Sequence, residues 1–241
     1  LRLRLRLRLR PGSRACCLRL QAAPQHGDAR WASEKIDLGD RPYFLVGQMP
    51  DGELKTRLAS YTGPITRRRS VIAHRGAPLG FPEHTVEAHD AGLRQGAGVI
   101  EADVAFTKDF ELVVRHGFAD LERDTDALAQ LAAGTATFTP SVPFSPCVPA
   151  GVDADGNATE EVPATAQVRT TDMTLREFQR LRGTNYGKAN PKAQDHTEYK
   201  DVAPWKKELL QFGQVLSFRQ FLDRYKHVPG IRFTPELKQP Q

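Results

Sequence analysis

Cysteine is scarce, long apolar runs are absent, and the usual nucleotide and hydrolase fingerprints are missing. The three cysteines are Cys16, Cys17 and Cys147. Two are adjacent, so no framework of spaced pairs exists, and the count does not fix the redox compartment. An oxidised Cys147 needs a partner from the N-terminal tail or from another chain. No stretch approaches the roughly 20 apolar residues that span a bilayer, so no transmembrane segment is expected. No Walker loop, Gly-x-Ser-x-Gly elbow or dinucleotide-binding glycine pattern occurs, which sets aside those enzyme classes. No Cys/His cluster supports zinc.

Charge is uneven. The 241 residues carry 34 Lys/Arg and 29 Asp/Glu. Residues 1–35 hold nine of the basic and two of the acidic residues, leaving 25 against 27 in the body. The basic pI of 9.2 therefore belongs to the tail. A nucleic-acid or anionic-membrane partner is an inference that reaches the tail alone, and none is expected for the body. The tail opens on LRLRLRLRLR, a dipeptide repeat read as low complexity or as a misplaced start, with a membrane-surface or nucleic-acid arm as the alternative. Arginine interrupts every apolar core a signal peptide would need. Residues 1–35 are expected to be disordered, and residues 36–70 to lead into the domain.

In that lead-in, Tyr43–Val46 reads as a short strand and Gly52–Ser60 as a short helix. Thr66–Ser70 holds three arginines, ordinarily a solvated face, with a phosphate-facing role as the alternative. Residues 71–75 read as a strand, Pro82–Gln95 as a helix, and Val99–Val104 as the next strand. Thr107–Glu111 makes a turn and Leu112–Arg115 a returning hairpin arm. Residues 121–171 are rich in Pro, Gly, Ala and Asp and read as a long inserted loop. Within it, DADGN lacks the spacing of a calcium loop and reads as a surface turn. Asn157-Ala158-Thr159 is a glycosylation sequon, meaningful in a secretory eukaryotic setting. Thr174–Glu177 and Ser217–Gln220 are capping boxes. The first opens a helix to about Leu181, stopped by Gly183. The second opens a helix with Phe218, Phe221, Leu222 and Tyr225 on one side, followed by Gly230 and the strand IRFTPE. Helices alternating with strands argue for a parallel α/β sheet.

Polar side chains end these strands. His74 and Arg75 follow the first, Glu101 and Asp103 lie in the second, Arg115 and His116 end the hairpin arm, and Glu236 and Lys238 end the last. In an α/β barrel, strand ends deliver side chains to one rim, where barrel active sites sit. Glu101 and Asp103, two apart on a strand, point the same way. Paired carboxylates repel unless a cation lies between them, and with Glu236 they suit a hard divalent ion, Mg²⁺ or Ca²⁺. The alternative is a buried salt bridge from Glu101 to Arg75 or Lys238. Two histidines facing one substrate divide proton removal from proton donation. Arg75 and Lys238 would neutralise charge on phosphate oxygens. Glu83 is read as a helix-start acid or as a support for substrate or Arg75. Metal, two histidines and a basic pair fit cleavage of a phosphodiester.

At these residues the chain resembles the glycerophosphodiester phosphodiesterase family. The stretch His74 to Gly117 is similar to its first signature, and FTPELK to its later Glu-Leu-Lys signature. The resemblance covers about residues 38–238 and is to larger bacterial-type members with a long insertion. It implies a TIM-type barrel that hydrolyses small glycerophosphodiesters to an alcohol and glycerol 3-phosphate. Glu101, Asp103 and Glu236 would hold the metal, and His74 and His116 would be acid and base. In this family the substrate's own neighbouring hydroxyl attacks phosphorus, and water opens the resulting cyclic phosphate. Two departures stand out: Gly117 replaces the Asp that usually follows the second histidine, and His84 replaces a common Asn. Larger members are often exported, which implies a periplasmic or extracellular home that this N-terminus does not itself show.

A complete barrel takes about 250 residues. From Ser70 onward there are 172 residues, with about three barrel strands. The expectation is therefore the N-terminal portion of a barrel with an insertion at about 121–171. Such a fragment would be poorly stable and inactive alone. Two other functions compete: a phospholipase-D-type lyase that stops at the cyclic phosphate, and a catalytically silent binding protein.

Overall fold

The computed structural model describes residues 36–38, 40–61, 66–184 and 212–238. The tail of residues 1–35 lies outside them. Two short helices lead in, α1 (Asp40–Gly47) and α2 (Glu53–Ala59). The first stands where Tyr43–Val46 was expected to be a strand. Pro42 falls in its first turn, where a missing N–H breaks no helical bond.

Strand β1 (Arg68–Ala73), helix α3 (Val86–Arg94) and strand β2 (Ala97–Phe106) form a parallel β–α–β unit. Arg67 does not face outward to an anion. Its guanidinium donates to the carbonyls of Leu93 at 3.2 Å and Ala97 at 2.6 Å, tying β1 to the end of α3 and the start of β2. The helix begins at Val86 rather than Pro82. His84 has φ 57, a left-handed backbone that no α-helix accommodates, and Thr85 then caps the helix by accepting from the Ala88 N–H. Strand β3 (Leu112–Val114) folds back antiparallel on the end of β2.

Residues 121–171 carry more structure than a loop. Helices α4 (Leu121–Asp124) and α5 (Ala127–Ala132) precede strands β4 (Val142–Ser145), β5 (Gly151–Val152), β6 (Ala158–Thr159) and β7 (Thr165–Gln167). β4 pairs with β7 and β5 with β6, one hairpin nested in the other. Leu121, Ala127, Phe138, Val168, Met173 and Phe178 share a buried cluster that anchors both ends of the insertion. Such anchors, scattered through a Pro-rich stretch, leave no periodic signal. At the hairpin tip Asp153 accepts from the N–H groups of Asp155 and Asn157, a surface turn as expected. Cys147 is disulfide-bonded, with its partner outside the described residues.

A 3₁₀ turn at Thr170–Asp172 leads to α6 (Leu175–Phe178), β8 (Arg182–Thr184), β9 (Phe212–Gln214), α7 (Phe218–Tyr225) and β10 (Arg232–Leu237). Both capping boxes form reciprocally, at Thr174/Glu177 and Ser217/Gln220. α6 stops at Phe178, and Gly183 lies in β8 instead of ending it.

β10 joins β2 in parallel, so the main sheet runs β1-β2-β10, with β3 on the end of β2. Alternation along β2 divides its side chains. Ile100 and Ala102 join Leu93, Phe221 and Tyr225 in the core beneath α3 and α7. Full burial of side chains of the size of Ile100 and Phe221 contributes about 1.5–3 kcal/mol each. Arg224 grips Asp90 at 3.0 and 2.7 Å, and the Tyr225 hydroxyl donates to the same carboxylate at 2.7 Å, locking α7 to α3. Glu101 and Asp103 take the other face of β2. The architecture is mixed α/β with three parallel strands, and no closed barrel forms among the described residues. No helix among them is long and apolar enough to cross a membrane.

Candidate active site

The site is built where β1 ends beside the middle of β2. Arg75 turns the chain with φ 55, and this points its backbone N–H at Glu101 Oε2, 2.6 Å away. Gly76 follows at φ 89, and a Cβ there would lie 2.5 Å from the Ala88 backbone, so the tight approach of this turn to α3 requires glycine. The Arg75 guanidinium reaches Glu83 at 3.0 Å and lies 3.7 Å from Asp103. Glu83 is thus a partner of Arg75 from the turn before α3, not a helix-start acid. The expected salt-bridge alternative for Glu101 takes the form of this backbone bond, while the guanidinium itself addresses Glu83 and Asp103.

Asp103 is the hub. His84 Nε2 lies 2.8 Å from its Oδ2, and the Lys238 ammonium lies 3.2 Å from its Oδ1. Lys238 also contacts Glu236. The register explains the grouping: in parallel pairing Thr234 stands beside Glu101 and Glu236 beside Asp103. Glu236 nevertheless turns outward, with its side chain 60% exposed, whereas Glu101 and Asp103 are buried.

The hairpin arm brings His116. The Arg115 N–H donates to the Asp103 carbonyl at 2.8 Å, which holds the end of β3 against β2. The Arg115 side chain is wholly buried. It pairs with Asp124 at 2.6 Å and donates to the Glu83 carbonyl at 3.1 Å, so it braces the turn carrying Glu83 and His84. His116 is half-buried and feels the charges of Arg75, Asp103, Glu83 and Lys238. Gly117 is followed closely by Asp120, whose carboxylate oxygen lies 1.7 Å from where a Cβ at position 117 would stand. A carboxylate from the next turn thus fills the space of the missing side chain. His74 is exposed, next to Arg75 at the end of β1.

These surroundings set the ionisation. Burial pushes the Glu101 carboxyl up to about 8, reinforced by the Asp103 charge and opposed by the Arg75 N–H. For Asp103, burial acts upward, but the His84 hydrogen bond and the nearby charges of His84 and Lys238 outweigh it and hold the carboxyl low. One carboxyl of the pair is kept protonated and the other ionised, the pattern expected of two acids sharing one site. Burial acts upward on Glu83 as well, and His84, Arg115 and Arg75 reverse it. Burial, with Arg75, pulls His116 below the ordinary imidazole range. Burial does the same to His84 against the pull of Asp103.

One ligand atom each from His84, Glu101 and Asp103 lies within 4.8 Å of the others, a grouping that could hold a metal ion. His84 was legible in the sequence as a departure from the family pattern, not as a member of the acidic cluster. Its approach depends on the left-handed turn before α3, which residue spacing does not reveal.

A model of the glycerophosphoryl diester phosphodiesterase family matches residues 74–241. The chain belongs to that family. A Mycobacterium tuberculosis protein whose name reads "Probable glycerophosphodiester phosphodiesterase 1" is 50% identical over 46 residues, which is 19% of this chain and 17% of that one. The glycerophosphodiester phosphodiesterase of Caldanaerobacter subterraneus subsp. tengcongensis is likewise 50% identical over 46 residues, 19% of each chain. Each match spans less than a fifth of the curated relative. Among solved structures, the glycerophosphodiester phosphodiesterase of Agrobacterium tumefaciens aligns with 19% identity and a TM-score of 0.40, over 73% of this chain and 48% of that one.

Proposed function

We propose that this chain carries the phosphodiester-cleaving centre of a metal-dependent glycerophosphodiesterase, built on part of a TIM-type barrel. The substrate class is small glycerophosphodiesters, cleaved to an alcohol and glycerol 3-phosphate. The observation that carries this reading is the grouping of Arg75, Lys238 and His116 around the buried carboxylates of β2. Membership of the family supports it.

Glu101 and Asp103, with Glu236 beside them, would hold a divalent cation. Three carboxylates alone would favour Mg²⁺ or Ca²⁺. The ion, when bound, supplies charge neutralisation at the phosphate. Arg75 and Lys238 bind the non-bridging phosphate oxygens and fix the phosphorus for attack. His116, held largely neutral at pH 7 by burial, takes the proton from the substrate hydroxyl next to the phosphate as that oxygen bonds to phosphorus. His74, exposed to the incoming substrate, gives a proton to the departing alcohol oxygen as its P–O bond breaks. The two then exchange roles while water opens the cyclic phosphate. Glu83 positions Arg75.

The test is release of glycerol 3-phosphate from glycerophosphocholine with added Mg²⁺ or Ca²⁺. It compares this chain, a form extended downstream, and His116→Ala. Release that falls about 10²- to 10⁴-fold in His116→Ala supports the assignment. Cyclic phosphate accumulating without glycerol 3-phosphate would move the reading to the lyase. Equal release by His116→Ala would remove His116 from the chemistry.

A further inference from the structure

The three-carboxylate reading leaves a buried imidazole at the cation site without an assignment. His84 is fully buried, and its Nε2 lies 2.8 Å from Asp103. Its Nδ1 makes no hydrogen bond among the described residues, and neither does Oε1 of Glu101. Buried donors and acceptors are almost always satisfied, by protein, water or ion. One ligand atom each from His84, Glu101 and Asp103 lies within 4.8 Å of the others, and these buried, converging groups mark a place shaped for something absent from the chain itself. Glu236 is not positioned like these groups. Its carboxylate is largely exposed and contacts Lys238, whose ammonium lies between it and Asp103. The buried donors nearest one another are therefore one imidazole and two carboxylates.

We infer that His84 is a ligand of the cation together with Glu101 and Asp103, and that the site consequently prefers a borderline divalent ion such as Co²⁺ over Mg²⁺ or Ca²⁺. Imidazole nitrogen adds little for hard ions, which seek oxygen, and much for later first-row ions. The backbone is built for the role. At φ 57 the residue lies in the left-handed region, where His is several-fold enriched over most residue types. Thr85 and α3 follow immediately and fix its direction. Arg115, bonded to the carbonyl of Glu83, holds the same turn from the other side. The inference rests on the metal-dependent reading given above, and it adds a ligand and a selectivity to it.

The test is direct binding to the chelator-stripped 241-residue chain, independent of turnover. Co²⁺ is titrated by its visible ligand-field absorption and Mg²⁺ by its competition. His84→Asn and Asp103→Asn are compared with the natural chain, and far-ultraviolet circular dichroism checks each fold. Asn tolerates the left-handed backbone, so His84→Asn should fold. The expected result is Co²⁺ binding at least roughly tenfold tighter than Mg²⁺, reduced about 10- to 100-fold in His84→Asn. Mg²⁺ competition should change far less, and the absorption should shift as nitrogen is lost. Unchanged Co²⁺ affinity and spectrum in folded His84→Asn would overturn the role of His84 while leaving the carboxylate site standing. Failure of the natural chain to bind either ion would overturn the metal reading as a whole, and this inference with it.

Discussion

The Lys238 ammonium lies 3.2 Å from Oδ1 of Asp103, although Asp103 lies in β2 and Lys238 just past the end of β10, far apart in sequence. The pair brings a permanent cation to the place where a divalent ion and a phosphate would meet. Lys238→Met is therefore expected to act in opposite directions on the two. Loss of a competing positive charge should tighten divalent-ion binding several-fold. Loss of a phosphate partner should lower turnover about 10²-fold or more. Ion titration and glycerol 3-phosphate release on the same preparation separate the effects, and a fall in both would contradict this account of Lys238.

Glu101 supplies a pH prediction. Its carboxyl is held up to about 8 in the fold, against about 4.3 for an unperturbed Glu. Between those values the folded chain keeps a proton that the unfolded chain has released. The ion-free protein should therefore lose stability as pH rises from about 4 to 8 through this group. Binding an ion displaces the same proton, so ion affinity should climb by up to about tenfold per pH unit and level off near pH 8. Calorimetry in buffers of different ionisation enthalpy should count about one proton released per ion at pH 7. In Glu101→Gln that proton release should disappear.

His89 predicts the reverse dependence at lower pH. It is fully buried against Phe221 and Tyr225, and neither ring nitrogen makes a hydrogen bond among the described residues. Burial, with the His84 charge, drives its pKa well down. The unfolded chain takes up a proton below about pH 6.5 that the folded chain refuses. Stability from this group is present above that pH and lost below it, at up to about 1.4 kcal/mol per pH unit. Urea unfolding of the chain at pH 7.5, 6.0 and 5.0 should show the decline, and His89→Leu should flatten it. A slope identical in the variant would exonerate His89.

The Arg115–Asp124 pair is wholly buried. Arg115→Ala leaves the Asp124 carboxylate and the Glu83 carbonyl unanswered and should cost about 3–5 kcal/mol. Arg115→Lys keeps the charge but not the planar fork that serves both groups at once, and should recover only part of that loss. Replacing Arg115 and Asp124 together by apolar residues should cost less than the two single losses added. Denaturation midpoints of the natural chain, Arg115→Ala, Arg115→Lys, Asp124→Ala and the double variant test this.

Much of this was readable from residue order. Polar residues capping apolar runs marked β1, β2, β3 and β10. The two capping boxes gave the starts of α6 and α7 because a reciprocal hydrogen-bond pattern needs only two residue types at fixed spacing. Glu101 and Asp103 were assigned to one face of β2 by alternation alone. What escaped was set by tertiary geometry. The insertion hid two nested hairpins because its anchors, Leu121, Phe138, Val168 and Met173, are scattered among prolines and glycines without a period. α1 is not told from a strand by sequence, because the four apolar residues Tyr43–Val46 fit a strand or a helix equally well. Glu83 and His84 fit the start of a helix by sequence, and the left-handed backbone that directs His84 onto Asp103 follows from packing, not from composition. The outward turn of Glu236 was equally invisible, since register places its backbone but not its carboxylate.

The pairing of β10 directly against β2 carries an evolutionary consequence. The nested hairpins of residues 142–167 lie outside the β1-β2-β10 sheet and its hairpin arm, so this stretch acts as a tether within one centre. Closing a longer tether costs only about 0.6 kcal/mol for each doubling of its length. The nested hairpins are thus free to grow, shrink or acquire new sequence while Asp103 and Glu236 remain neighbours. Diversity among proteins sharing this centre should concentrate there.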